Sequence, residues 1–267
     1  MNGCKVKYFL STAVAAMFFC SALYADTNFE ELDKAPEGAY KGQMTAGILV
    51  SMGLPQGSMI DAEQSFIKNS TYTFPNNETT KEIWISHLSY SIGAFFEYMP
   101  FNYFGLFTKT AYSAINQRTS FGKDYANSSG TLYYDISLLI GPVLHATNRK
   151  PWDISLTPLF GYTYGVYTAA PIARKLVTTE GGSTFSPAAY KGKAGWLAYG
   201  TDISASVFFS GGLYLSLTAE WVRNSITLAK PVDQANIQTG AIYLSGKTSG
   251  YIDNFRIILS SGYAFSN

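Results

Sequence analysis

Cysteine is nearly absent from this 267-residue chain, and both copies, Cys4 and Cys20, fall within the first twenty positions. Charge is scarce too: 14% of residues are Asp, Glu, Lys or Arg, against ~25% in an average soluble domain. Histidine occurs only as His87 and His145, which leaves too few ligands for a metal cluster of His and Cys. No Gly-rich phosphate loop appears, and no metal or other cofactor is expected. Beyond the first thirty residues no apolar run reaches ~18, so a bundle of transmembrane helices is excluded. What the chain does have is 47% apolar and 16% aromatic residues. Without long runs, that hydrophobicity must be carried by alternation, on one face of each strand.

The first 25 residues account for themselves. Lys5 and Lys7 form a basic start, Phe9 to Cys20 a mostly apolar stretch, and Ser21, Ala22 and Ala25 a small-residue site before Asp26. This is the pattern of a secretory signal peptide (residues 1–25) cut after Ala25. A retained anchor is disfavoured because the apolar run is too short to span a bilayer. A lipoprotein modified at Cys20 is disfavoured because Phe19 stands where a small side chain is needed. Cleavage removes both cysteines, leaving a mature chain with no disulfide and no thiol nucleophile. It also removes two of 19 basic residues, leaving 17 against 18 acidic, a net charge near −1. Such a chain offers no basic field to nucleic acid.

From Gly42 onward, segments of alternating polarity recur. In Trp196 to Val222 the even-handed set Leu197, Tyr199, Thr201, Ile203, Ala205, Val207 and Phe209 faces one way, and Ala198, Gly200, Asp202, Ser204 and Ser206 the other. After Ser210-Gly211-Gly212, the residues Leu213, Leu215, Leu217, Ala219 and Trp221 continue the apolar face. Folding about Gly211 pairs Phe209 with Leu213, Val207 with Leu215, Ala205 with Leu217 and Ile203 with Ala219, so the two faces agree. Leu88 to Tyr98 with Phe104 to Tyr112 form a second hairpin, and Leu132 to Leu144 with Ile154 to Val166 a third. Pro142 and Pro158 interrupt that third hairpin, which a central strand normally rejects, and are read as bulges or strand ends. Gln43 to Ser51 and Asp253 to Phe265 supply the first and last strands. Residues 99–101, 147–151 and 210–212 are short turns. Residues 53–85, 114–130, 169–194 and 224–250 are long, polar connections. Strict alternation of short and long connections marks an eight-stranded antiparallel transmembrane β-barrel, an up-and-down meander, over residues 42–267. Residues 26–41 form a short periplasmic lead.

The aromatics form two outward girdles. Tyr98, Phe104, Trp152, Phe209 and Phe265 lie near the short turns, and Tyr90, Tyr112, Tyr134, Tyr164, Tyr199 and Trp221 lie higher on the same face. The opposite, lumen-facing set carries the strands' few charges: Glu97, Lys109, Asp135, Asp202, Glu220 and Arg256. Asp202 and Glu220 face each other in the hairpin register, and two carboxylates so placed repel unless a cation sits between them. Arg256 on the next strand and Lys109 from the far wall are the candidate cations, with Asp135 at the upper edge. This cluster either satisfies polar groups in a filled barrel or forms a gate. His87-Leu88-Ser89 has the His-x-Ser spacing of lipid A deacylase barrels, but both polar residues take the lumen-facing parity, away from lipid, so no enzyme is expected. His145, near a short turn, is expected to be solvated or interfacial.

Gly195-Trp196 through Leu213-Tyr214 to Glu220-Trp221 resembles the sixth and seventh strands of the OmpW family, within the wider OmpA- and OmpX-like group of eight-stranded outer-membrane barrels. Leu159-Phe160-Gly161-Tyr162 with Tyr164 is similar to that family's fifth strand, and Ser260-Ser261-Gly262-Tyr263-Ala264-Phe265 to its closing Gly-Tyr-x-Phe strand. Ser266 and Asn267 depart from the pattern, since the family ends on the aromatic that the barrel-assembly machinery reads. The resemblance implies export to the outer membrane of a diderm bacterium, contact with outer-membrane lipid, and a narrow lumen that passes small hydrophobic solutes sideways into the membrane. The expected function is therefore a channel or permeation path for small solutes. The alternative is a non-conducting surface barrel whose loops bind host or environmental ligands.

Overall fold

The computed structural model describes residues 38–61, 64, 72–73, 79–80, 83–121, 128–168, 191–227 and 249–266. Residues 1–25, expected as a signal peptide, residues 26–37 of the expected lead and most of the long connections lie outside the described residues. Eight long strands form the wall: β1 (Gln43–Gln56), β4 (Ile83–Phe101), β5 (Phe104–Phe121), β6 (Ser128–His145), β7 (Trp152–Thr168), β8 (Lys191–Phe208), β9 (Leu213–Thr227) and β10 (Ser249–Ser266). A small hairpin, β2 (Tyr72–Thr73) with β3 (Thr79–Thr80), lies in the first long connection. The eight long strands close in meander order, each antiparallel to its neighbours, and β10 pairs with β1 from Gln43↔Ser266 to Gln56↔Asp253. Closure leaves no unpaired sheet edge, the condition for backbone to cross lipid.

The hairpin register read from the sequence is the register found. Val207↔Leu215, Ala205↔Leu217, Ile203↔Ala219 and Asp202↔Glu220 are paired, and Phe209 N donates to Leu213 O at 2.8 Å around the turn. Gly211 and Gly212 hold φ of 75° and 84° there, a left-handed conformation that suits residues without a Cβ. Two expectations need correction. The β4–β5 turn is Asn102–Tyr103, not 99–101: Met99 to Phe101 belong to β4, with a register shift between Tyr98 and Phe101. The connection expected at 114–130 is far shorter, because β5 runs to Phe121 and β6 begins at Ser128. Beyond the apolar band the outward side chains turn polar, as at Asn116, Arg118 and Thr131, so hydrophobic alternation fades while the ladder continues, as in Arg118↔Ser129.

Pro142 and Pro158 sit inside β6 and β7 rather than at their ends. Pairing runs from Tyr133↔Tyr167 to Ile140↔Phe160 and resumes at Leu144↔Leu156 in the same register, which sets Pro142 opposite Pro158. Neither has an N–H to donate, so the bonds that this pair would exchange are missing. The chains still approach closely: a Cβ on Gly141 would fall 1.7 Å from Pro158 O. The wall here is shut but unbonded.

Both mouths are covered. At the short-turn end, Gly38 bridges Lys150, Gly42 N donates to Met99 O at 2.7 Å, and Ala39 and Met99 are fully buried. At the loop end, residues 58–61 form one helical turn, with Asp61 N donating to Gly57 O at 2.9 Å, and fold Met59 and Ile60 inward to 1% and 2% exposure.

Candidate functional site

The wall's two faces invert the usual protein. Leu138, Ile140, Phe160, Tyr162, Leu217 and Ile257 are each more than half exposed, and they belong to a continuous outward band of large apolar side chains. A soluble monomer does not expose such a surface, since contiguous apolar patches there seldom exceed a few hundred Å². The girdle residues Tyr98, Trp152, Phe209 and Phe265 border the band at the short-turn end, and Tyr112 and Tyr164 stand higher on it. Meanwhile Lys109, Asp135, Asp202, Glu220 and Arg256 are all buried inside. A closed barrel that is apolar outside and charged inside is built to sit in a bilayer.

Lys109 is the centre of the lumen. It projects from β5 and crosses to the β8–β9 wall, where its Nζ donates to Asp202 Oδ2 at 2.7 Å and also to Glu220 Oε2. Arg256, paired with Glu220 across β9 and β10, donates from Nε to Glu220 Oε1 at 2.5 Å and from Nη1 to Ser113 Oγ at 3.1 Å. The facing carboxylates Asp202 and Glu220 thus coexist because a cation reaches between them. A buried ion pair of this kind offsets its own desolvation only when the remaining lone pairs and protons are satisfied. Glu220 meets that condition through two partners, whereas Asp202 Oδ1 has none among the described residues. Asp135 is buried beside this group, with Oδ1 likewise unpartnered.

Glu97 does not join this cluster. Its Oε1 lies 3.1 Å from His145 Nε2, nearer the short turns, and His145 Nδ1 lies 2.7 Å from Asp153 Oδ2. Asp153 is held in turn by Thr147, whose backbone N and Oγ1 both donate to Oδ1 at 3.0 Å. His145 is therefore not the solvated or interfacial residue that its place near a turn suggested; its side chain is 4% exposed. Asp153 shares the inward parity of Ser155 and Thr157 on β7, and the turn adds Thr147 to hold its carboxylate. His87 and Ser89 face the lumen, as their parity requires, and His87 Nδ1 lies 3.4 Å from Gln64 Nε2.

Parity also placed aromatics inside that their chemistry did not advertise. Phe95 stacks on Phe107 at 6.1 Å between centroids and meets Tyr214 at 5.7 Å, packed with Leu49, Ala111 and Ile258. Phe107 also packs against a second apolar group, Leu139, Leu159, Ala198 and Val222, on the inner side of β6 to β9. Between the aromatic layer and Lys109 the free space is about 20 Å³, room for about one water. At this level the lumen is filled, not open. On the outer surface, Phe107, Ile140, Gly141, Pro142 and Phe160 help line an apolar groove of about 780 Å³. Phe107 thus borders both the inner cavity and the outer groove, beside the unbonded stretch of wall.

Closure, belt and charged interior together define an eight-stranded membrane-spanning β-barrel of the outer-membrane type. Among solved structures the chain is similar to Ail, the attachment invasion locus protein of Yersinia pestis, at 11% identity over 84% of this chain and 99% of that one, with a TM-score of 0.40. It is similar to the outer membrane protein OprG from Pseudomonas aeruginosa at 11% identity, 86% and 99% coverage, and a TM-score of 0.42. It is similar to the N-terminal β-barrel domain of Pseudomonas aeruginosa OprF at 9% identity, 84% and 98% coverage, and a TM-score of 0.32. No family model and no curated protein matches the chain.

Proposed function

We propose that the protein is an outer-membrane permeation barrel for small apolar solutes, closed at rest, whose exit is the β6–β7 seam rather than an axial pore. One observation carries this reading: the facing prolines Pro142 and Pro158 interrupt the ladder beside an apolar inner wall of Leu139, Leu159 and Phe107, with an apolar groove directly outside. Separating the strands there breaks fewer hydrogen bonds than anywhere else along β6 and β7. An axial route would instead have to part Lys109 from two carboxylates. A sideways route matches what the OmpW resemblance implies and removes the conflict with the charged lumen. The solute, on this reading, never passes the ion cluster.

The test is uptake by proteoliposomes of solutes graded in size and polarity. Uptake of small apolar solutes is expected to exceed that of polar solutes of equal size, and Pro142→Val/Pro158→Val, which restores the missing donors, is expected to slow it. Uptake equal for polar and apolar solutes, or unaltered by the double substitution, overturns the reading. The filled lumen favours a second reading, a non-conducting barrel that presents its loops to surface ligands. It is supported if no solute is taken up while deletion of residues 228–248 abolishes binding to a surface partner.

A further inference from the structure

One outward-facing feature has no part in the solute path. On the β8–β9–β10 wall, above the apolar band, Arg223 and Asp253 form a cross-strand pair with two 2.7 Å bonds, Nε to Oδ1 and Nη2 to Oδ2. The guanidinium carbon stands 4.2 Å from the centroid of the Tyr251 ring and 5.8 Å from that of Trp221. Tyr199, opposite Arg223 on β8, meets Trp221 edge to face at 6.2 Å. Aromatic rings thus wall the ion pair on three adjacent strands.

Height locates this platform. Arg223 is about ten residues beyond the short turn, which at ~3.3 Å per residue and a tilt of ~40° places it roughly 25 Å above that turn. A lipid-facing apolar band is ~25 Å tall, so the pair stands at the headgroup level of the loop-side leaflet. The pair is half-buried, with 32% of the Arg223 side chain and 12% of the Asp253 side chain exposed, so the guanidinium is its accessible edge. Its chemistry is specific. Asp253 already neutralises the guanidinium, so the platform has no net charge and little attraction for a bare anion. An arginine that donates beside a carboxylate that accepts matches hydroxyl groups, which do both. Ring faces carry partial negative charge and suit the polarised C–H face of a pyranose.

We infer that Trp221, Arg223, Tyr199, Tyr251 and Asp253 form a docking site for the saccharide headgroup of a glycolipid in the loop-side leaflet. The inference rests on the membrane-spanning reading and is independent of the solute path, so the seam substitutions leave it unchanged. The mature chain is refolded in an amine-oxide detergent, which carries no sugar. Retention of a diacyl glycolipid with a disaccharide headgroup is then measured by native mass spectrometry against the matching diacylglycerol. The barrel is expected to retain the glycolipid and not the diacylglycerol. Arg223→Gln and Asp253→Asn are each expected to weaken retention about tenfold or more, the loss of a charge-assisted hydrogen bond. Trp221→Leu, which keeps the belt apolar, is expected to weaken it too and stands in if either polar variant fails to fold. Three results overturn the proposal: tighter retention by Asp253→Asn, which marks an anion site; unchanged retention in Arg223→Gln and Trp221→Leu; or displacement of the glycolipid by an equal concentration of free disaccharide.

Discussion

The β8–β9 hairpin and the β6–β7 pair are written in the same period-2 code, yet they make two different walls. In β8–β9 every residue from Ala198↔Asn224 to Phe208↔Tyr214 is paired, and the inner face carries Asp202, Glu220 and the hydrogen-bonded Ser204 and Thr218, 2.7 Å apart. In β6–β7 the register is equally sound, but three consecutive pairings are absent around Pro142 and Pro158 and the inner face there is apolar. Alternation therefore decides which way side chains point. It does not decide how firmly two strands are held. That second property depends on single N–H groups and on what crosses the lumen to brace a wall.

The bracing gives the largest effect. Glu220→Ala removes the acceptor shared by Lys109 and Arg256 and leaves Arg256 buried without its carboxylate, so unfolding stability in detergent or lipid is expected to fall by about 3–5 kcal/mol. Urea titration of refolded barrels measures it. A loss below about 1 kcal/mol would show that the β8–β9 wall is not braced from inside. The outer side comes next. Leu217 is on the band of that same wall and 56% exposed, and Leu217→Arg is expected to cost about 2–4 kcal/mol in a bilayer. In a water-soluble protein the same substitution at an exposed position would change stability by no more than about 0.5 kcal/mol. Comparing refolding into vesicles and urea midpoints for the two proteins separates the cases.

Much of this was legible from the residues alone. The alternation from Leu197 to Trp221 contained the hairpin register, and that register placed Asp202 opposite Glu220, with Arg256 and Lys109 as the cations to separate them. The hidden parts share a cause. Glu97 has the parity of Lys109 but stands lower, at the height of His145 and Asp153, which share the inward parity; alternation states the face but not the height at which partners on different strands meet. The strand ends near Phe121 and Ser128 were hidden because hydrophobic contrast fades where the outward side chains turn polar, although hydrogen bonding does not. The inward Phe95, Phe107 and Tyr214 were readable by parity, yet their filling of the lumen is a packing property that no pattern states. The prolines are visible in the sequence, but placing them face to face requires the length of the β6–β7 turn; instead of the bulges or strand ends that proline suggests, they sit opposite each other within a ladder of unbroken register.

The smallest expected effect bears most directly on the difference between the two walls. Pro142→Val/Pro158→Val restores two donors at a position where register is already set by Ile140↔Phe160 and Leu144↔Leu156. Each restored bond is expected to add about 1 kcal/mol, for a combined gain near 2 kcal/mol in the urea titration. Amide exchange reads the same change locally. In the wild type, the amides of Ile140, Leu144, Leu156 and Phe160, which close the seam on either side of the prolines, are expected to exchange faster than those of Thr201, Ile203, Ala219 and Trp221 at the corresponding place in β8–β9, because opening of a wall segment is governed by the bonds that close it. In the double variant the two sets are expected to converge. If the seam amides are as protected in the wild type as those of β8–β9, the strands are held there by packing alone, and the facing prolines are a tolerated interruption in a uniformly rigid wall.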